Sequence, residues 1–380
     1  MKFRDISIGS KLMIVLTAAV ALAFSVATVL NHRFTTSLLE KKMQEQLATK
    51  VQLVKNMIET YDGSLSQHAR KLAGVFMSYY PERMTLAPNQ LVRIGAVDTP
   101  ALKAGGTVQN LHFERIDRFS SVTGAVATLF ARKDDDFVRV ATSLKKQDGT
   151  RAIGTFLGQE HPGYKKLIQG ENYTGKATLF GKDYMTTYVP IKDEQGSVIG
   201  VFFIGIDFTD NLRILKDKIR SLKVGESGYL FALDARKGAS FGNLIVHPFK
   251  EGHNILDSKD ARGREFIKEM LEKRDGVIKY PWLNAEAKET HPREKIVVYT
   301  SYDGWDWVLG AGMYTDELSS ESAKAGTYLV GASVVSVAAL IAMIYLLSLR
   351  LISRPMKQAV SFVTSIAEGD LTQQIHVDRQ

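Results

Sequence analysis

MTTYVPIKDEQGSVIGVFFIGID (Met185–Asp207) is the stretch that decides the fold. Two apolar runs rich in β-branched and aromatic residues flank Asp193-Glu194-Gln195-Gly196, a polar tetrapeptide ending in glycine. That pattern predicts an antiparallel hairpin with strands over Tyr184–Ile191 and Val198–Asp207. A second stretch, KIVVYTSYDGWDWVLGAGMY (Lys295–Tyr314), can be laid over the first at the turn glycine, Gly196 on Gly304. Similar elements precede both hairpins. In the first block, strands are expected at Ala125–Ala131, Phe137–Ser143 and Arg151–Leu157, then a helix after His161-Pro162 and a strand at Lys176–Phe180. In the second, strands at Tyr229–Asp234 and Leu244–His247 are followed by a helix over Ala261–Lys273 and a strand at Gly276–Trp282, with the hairpin as Lys295–Tyr302 and Trp307–Met313. An ordered repeat of this kind means two copies of one α+β fold, each an antiparallel sheet with helices on one face. Leu212–Leu222 reads as an amphipathic connector. Pro81–Ala104 reads as loop, with Pro81, Pro88, Pro100 and Gly105-Gly106 as breakers.

Upstream lies a long helical pattern. From Thr35 to about Tyr80 there is one proline-free run in which Leu39, Met43, Leu47, Val51, Val54, Ile58, Tyr61, Leu65, Leu72, Phe76 and Tyr79 recur at steps of three or four or their sums. Such a helix leans on its own globular domain, on a partner copy, or on both.

Two charge-free apolar stretches bracket all of this: LMIVLTAAVALAFSVATVL (Leu12–Leu30) and TYLVGASVVSVAALIAMIYLLSL (Thr327–Leu349). At about 1.5 Å per residue each is long enough to cross a hydrocarbon layer roughly 30 Å thick. Lys2, Arg4 and Lys11 precede the first span, and Arg350, Arg354 and Lys357 follow the second. Excess basic residues mark the cytoplasmic flank, so both ends are expected inside and the insert outside, although Arg33, Lys41 and Lys42 lie at the start of the insert. A cleaved signal peptide is the competing reading of the first span. Its length and the lack of a clean small-x-small site favour an uncleaved helix. The chain has no cysteine, which excludes a disulfide framework and thiolate metal sites. Its net charge of +8 is too diffuse for a nucleic-acid footprint and suits small anions.

The tail RLISRPMKQAVSFVTSIAEGDLTQQIHVDRQ (Arg350–Gln380) carries a helical stripe, Ile352, Met356, Ala359, Val363 and Ile366, ended by Glu368-Gly369-Asp370-Leu371. It resembles the start of a HAMP linker. With that tail, the insert resembles the double Cache sensors, PAS-like modules outside the membrane, and most nearly the Cache 3–Cache 2 pairing. The resemblance rests on DDFVRVATSLKKQDGTRAIGT (Asp135–Thr155), YTGKATLFGKDYMTTYVPIKDEQGSVIGVFFIGID (Tyr173–Asp207), GESGYLFALD (Gly225–Asp234), His247-Pro248, Tyr280-Pro281-Trp282 and WDWVLGAGMY (Trp305–Tyr314). It implies residues 1–11 inside, a transmembrane helix at 12–30, a long periplasmic helix at 31–80, a membrane-distal module at 81–210, a membrane-proximal module at 211–326, a second transmembrane helix at 327–349 and a partial HAMP at 350–380. It further implies a bacterial inner-membrane methyl-accepting chemotaxis receptor, or less commonly a sensor kinase or cyclic-dinucleotide enzyme. The output domain would lie outside this chain, so the chain is expected to be part of a longer protein. A homodimer is expected, with a chemotaxis coupling protein and kinase as partners of the output domain. No catalytic residue, metal or cofactor is expected.

Small carboxylates are the ligand class the resemblance implies. A carboxylate needs a fixed cation, preferably the planar fork of arginine, with hydroxyl or amide donors. In the first block Arg139, Ser143, Arg151, Tyr173, Lys182, Tyr184 and Tyr188 are the candidates. Arg139 and Arg151 fall in strand-like segments, and Tyr184 and Tyr188 share one side of a strand by period two. The alternative is that both arginines face solvent or pair with Asp134–Asp136. A possible second site comprises His247, Tyr280, Trp282, Lys295 and Tyr299, with core packing as the competing reading of the aromatic pair. Gly238-Ala239-Ser240-Phe241-Gly242 matches G-x-S-x-G, but a nucleophile elbow needs a strand before it and a helix after it, and a strand is expected to follow.

Overall fold

The computed structural model describes residues 8–284 and 289–368. The chain divides into two compact units: its two ends, up to Glu45 and from Tyr314, form one, and Gln46–Met313 forms the other.

In the first unit, helix α1 (Ile8–Ser78) begins, and helix α6 (Asp316–Ser348) runs through a π-helical turn (Leu349–Ser353) into helix α7 (Arg354–Ala367). α1 and α6 each contain a window long and apolar enough to cross a membrane. Leu22, Val29 and Leu30 on α1, and Val334, Val335 and Leu346 on α6, are all exposed. Apolar surface of that extent requires a nonaqueous neighbour. Pro355 sits at the start of α7, immediately after the π-helical turn. Met356, Val363 and Ile366 of the tail stripe are exposed, and Gly369–Leu371 of the expected helix stop lie outside the described residues.

In the second unit, α1 is the spine. Leu47, Val51, Val54, Ile58 and Phe76 of the expected stripe are buried, and Ala69 and Ala73 carry the buried face past half-buried Leu65 and Leu72. Helix continues through Gly63. Each large buried side chain contributes about 1.5–3 kcal/mol relative to exposure.

The module expected to be membrane-distal, called distal below, contains strands β4 (Val126–Lys133), β5 (Asp136–Thr142), β6 (Tyr173–Leu179), β7 (Lys182–Lys192) and β8 (Val198–Asp207), with helix α2 (Glu114–Thr123) before β4 and helix α3 (Tyr164–Ile168) before β6. Their spatial order is β5-β4-β8-β7-β6, antiparallel throughout. Helix α4 (Thr209–Ser221) leads to the proximal module: β9 (Tyr229–Asp234), β10 (Leu244–Val246), helix α5 (Phe266–Lys273), β11 (Gly276–Trp282), β12 (Arg293–Tyr302) and β13 (Trp307–Tyr314), ordered β10-β9-β13-β12-β11. Numbered within each module, both sheets run 2-1-5-4-3. The repeat seen in the sequence is therefore a repeat of topology.

Three expectations fail locally. The segment read as loop at Pro81–Ala104 forms strands β1 (Met84–Ile94) and β2 (Val97–Ala104), joined by β3 (Thr107–Val108) in a small sheet. Pro88 falls in a bulge between Ala87 and Leu91, and Pro100 pairs beside it, so the prolines occupy the irregular part of the ladder. The strand expected at Arg151–Leu157 is a loop held to the sheet by two isolated bridges, Lys145–Arg151 and Val138–Phe156. Gly154 there adopts φ 73°, which breaks an extended run. The helix expected from Ala261 starts at Phe266, because the Asp260 carboxylate accepts from Arg262 N and Arg264 N and holds a turn.

Candidate ligand-binding sites

β8 is buried on both faces, and its alternation builds the distal site. Phe202 faces α1, meeting Phe76 at 5.7 Å and Tyr80 at 5.6 Å. Phe203 faces the other way, meeting Tyr188 of β7 at 4.8 Å and Phe130 of β4 at 6.3 Å. On that second face, Arg139 of β5 lies over the Phe130 ring at 4.9 Å and is 6% exposed. Its Nη1 donates to Thr155 Oγ1 and, at 3.4 Å, to Ala152 O; Nε is buried with no partner. Among the described residues no carboxylate pairs with it. Burial pulls its pKa down to about 10. His161 roofs the cluster, 4.8 Å from Tyr188 and 5.4 Å from Tyr173, and burial pushes its pKa down to about 4. Tyr173 lies flat on the backbone: a Cβ added at Gly163 would stand 2.5 Å from its ring, and one at Gly175 2.5 Å from its hydroxyl.

The structure thus brings Arg139, Tyr173 and Tyr188 together and places the other first-block candidates elsewhere. Arg151 makes a two-pronged pair with Asp117 of α2 at 2.8 Å, donates to Thr142 O and lies over Phe113. Its partner is Asp117 rather than Asp134–Asp136. Ser143 Oγ is engaged by Ser120 and by Ala127 N. Lys182 pairs with Asp207 at 2.7 Å at the exposed end of the hairpin. Tyr184 packs with Leu144 and Ala152 in a separate small cluster.

The proximal module encloses a cavity of about 30 Å³. Four second-block candidates, His247, Tyr280, Trp282 and Lys295, line it with Tyr229, Lys250 and Phe266. Lys295 is 1% exposed, its Nζ stands 3.5 Å above the Tyr229 ring, and burial pulls its pKa down to about 7. Tyr280 stacks on Phe266 at 4.1 Å, and Trp282 meets the same ring edge-on at 5.3 Å. His247 Nδ1 accepts from Phe249 N and Lys250 N, both at 3.0 Å, which puts the proton on Nε2 and makes that atom a donor. Tyr299 is buried on β12 but lies outside the cavity lining, with its hydroxyl close to Gly276.

The residues 33–327 match the model of the Cache 3/Cache 2 fusion domain family. The chain belongs to that family. The sensor histidine kinase MctS of Rhizobium johnstonii is 35% identical over 113 residues, 28% of this chain and 23% of that protein. The methyl-accepting chemotaxis protein McpP of Pseudomonas putida is 27% identical over 168 residues, 41% of this chain and 29% of that protein. The chain spans about a quarter of the length of these curated relatives. Among solved structures, the sensory domain of the Campylobacter jejuni chemoreceptor Tlp3 is 12% identical with a TM-score of 0.43, covering 75% of this chain and 98% of that one.

His161, Thr155 and Tyr229 were missed by sequence reasoning. The first was findable. Each module of the Cache pair carries His-Pro between its second strand and its helix, His161-Pro162 and His247-Pro248, and in both the imidazole Nδ1 accepts from the backbone N–H two residues on. Ser240 sits in the loop between β9 and β10, where Asn243 N donates to Ser240 O, and a strand follows. That is not the strand-to-helix turn of a nucleophile elbow.

Proposed function

We propose that this chain is the input part of a transmembrane chemoreceptor whose proximal cavity binds a small carboxylate. One observation carries the ligand reading: the cavity lining holds two lysines and a histidine and, among the described residues, no Asp or Glu. Ammonium, imidazole, phenol and indole groups line it together, which suits a small anion. Acetate, propionate and pyruvate are small anionic probes for it. Both ends of the chain would lie in the cytoplasm and Gln46–Met313 in the periplasm, with the ligand signal carried by α6 into α7. The exposed stripe of α7 and the HAMP resemblance favour a homodimer, and the chemotaxis coupling protein and kinase would engage a domain outside this chain. The match to a sensor histidine kinase favours a second reading, in which the same input drives a kinase domain directly. Calorimetric titration of the full chain in lipid nanodiscs with the three carboxylates tests the ligand reading. Saturable binding is expected, and heat of dilution alone for all three would reject it.

A further inference from the structure

Helix α4 carries Lys216 and Arg220 one turn apart, with buried Ile219 between them on the helix surface. Like charges at that spacing repel. Both side chains are nonetheless partly covered, 23% and 34% exposed, and Arg220 Nε is fully buried. One acid accounts for the arrangement. Glu251 accepts from Lys216 Nζ at 3.3 Å through one carboxylate oxygen and from Arg220 Nη2 through the other.

Glu251 belongs to the turn that follows β10, residues 247–252. That turn is closed on itself. His247 Nδ1 accepts from Phe249 N and Lys250 N, Gly252 N donates to Leu244 O at 2.8 Å, and His253 N donates to Lys250 O at 3.1 Å. It supplies His247 and Lys250 to the lining of the proximal cavity, while the very next residue, Glu251, reaches α4. The other end of α4 is bonded to the distal sheet. Asp183 N of β7 donates to Thr209 Oγ1 at 2.9 Å, Phe208 N donates to Asp183 O at 3.0 Å, and the Asp207 carboxylate accepts from Thr209 N and Thr209 Oγ1. α4 is therefore a fixed post, and a closed turn gripped by a fixed post has little freedom left.

An exposed ion pair contributes little to stability and has no bearing on a cavity. This one is partly buried, joins two cations through one acid, and stands one residue from a cavity-lining side chain. We infer that Glu251 is a positioning residue for the proximal cavity: its hold on Lys216 and Arg220 fixes the turn that presents His247 and Lys250. The inference rests on reading that cavity as the carboxylate site. With the turn released from α4, both side chains must be ordered at the moment of binding, which weakens affinity by about tenfold.

Two measurements on the full chain in nanodiscs test this: hydrogen–deuterium exchange without ligand, and calorimetric titration with propionate. Glu251→Gln is expected to speed exchange across residues 246–253 and to weaken propionate by about tenfold. Glu251→Asp, which keeps the charge, should recover most of that affinity. Lys216→Gln with Arg220→Gln should reproduce the loss, and adding Glu251→Gln to that pair should cost little more, because all three changes break one contact. Propionate binding at wild-type strength in Glu251→Gln, even with a lowered melting temperature, would show a merely structural pair and overturn the inference. So would an Asp variant no better than the Gln one, or losses that add in the triple variant. Should Glu251→Gln fail to fold, the α4 double variant carries the same test. If the wild type binds no carboxylate, the ligand reading fails by itself and the exchange arm decides the clamp: unchanged exchange across 246–253 in Glu251→Gln would overturn it.

Discussion

Replacing Lys295 with methionine should make the empty protein more stable and the ligand response disappear. The two effects have opposite signs because they share one cause. Folding draws the Lys295 pKa from its ordinary 10.5 down to about 7. At about 1.36 kcal/mol per unit, burying this ammonium costs on the order of 4 kcal/mol at neutral pH. Methionine fills a similar volume without that cost, but forfeits the contact with the Tyr229 ring, about 1–2 kcal/mol. A net gain of about 1–3 kcal/mol is expected, raising the melting temperature by about 2–4 °C per kcal/mol. All three tryptophans, Trp282, Trp305 and Trp307, lie in the proximal module, so their fluorescence reports its unfolding. The sign of the pH dependence follows. Between pH 7 and 10.5 the unfolded chain binds the extra proton, so wild-type stability rises with pH across that window and falls as pH drops toward 7. Lys295→Met should lack this component. Carboxylate binding needs the ammonium, so affinity should fall about tenfold per pH unit above 7, and the variant should lose about 2–5 kcal/mol of binding. A variant that melts lower than wild type and still shifts with propionate would refute the reasoning on both counts.

Three further outcomes follow from the geometry. His161 is held neutral in the fold, with a pKa near 4 against an ordinary 6.5, so the unfolded state takes up the proton first as pH falls. Stability should drop between pH 6.5 and 4 with a slope of about one proton, and His161→Phe should flatten that slope in denaturant titrations. Gly163→Ala drives a Cβ to 2.5 Å from the Tyr173 ring, and the displaced ring should cost about 1–3 kcal/mol, read as faster exchange across residues 161–175. Arg151→Ala removes a half-exposed pair with Asp117 and should cost about 1 kcal/mol or less, with carboxylate affinity unchanged by calorimetry; a tenfold loss would return Arg151 to a binding role.

The sheets were legible because their signals are local. Alternation, turn glycines and the paired hairpins report on the backbone directly, so the repeat carried over into topology. Pro81–Ala104 was misread for a related reason: proline reports where a ladder bond is missing, and a bulge absorbs that without ending the strand. The site was harder, since it is made by residues distant in sequence. Arg139 and Arg151 look alike in the sequence, yet one faces a ring cluster without a carboxylate and the other faces Asp117 across to α2. Period two identified the face shared by Tyr184 and Tyr188 but not that the two fall in different packed clusters.

The two sheet modules and the spine helix meet at one junction. Asp62 of α1 accepts from the Tyr302 hydroxyl at 2.7 Å and from Trp305 Nε1 at 2.8 Å, so the spine helix is tied to the β12–β13 turn. Lys176 of β6 reaches the same turn from the distal sheet, standing 5.3 Å from the Trp305 ring and 5.4 Å from that of Trp307. β12 also carries Lys295, and Gly312 on neighbouring β13 has no side chain because a Cβ there would meet Lys295 Cε at 2.5 Å. β13 ends at Tyr314, two residues before α6 begins. On the proposed reading, an anion drawing the Lys295 ammonium toward itself pulls on β12, the strand paired with β13. The required displacement is small, because packed side chains of this size exchange between discrete arrangements and do not deform smoothly. A ligand shifts that balance only by its difference in affinity for the two arrangements, so the cation it grips must lie on an element that moves. Lys295 lies on β12, the neighbour of β13.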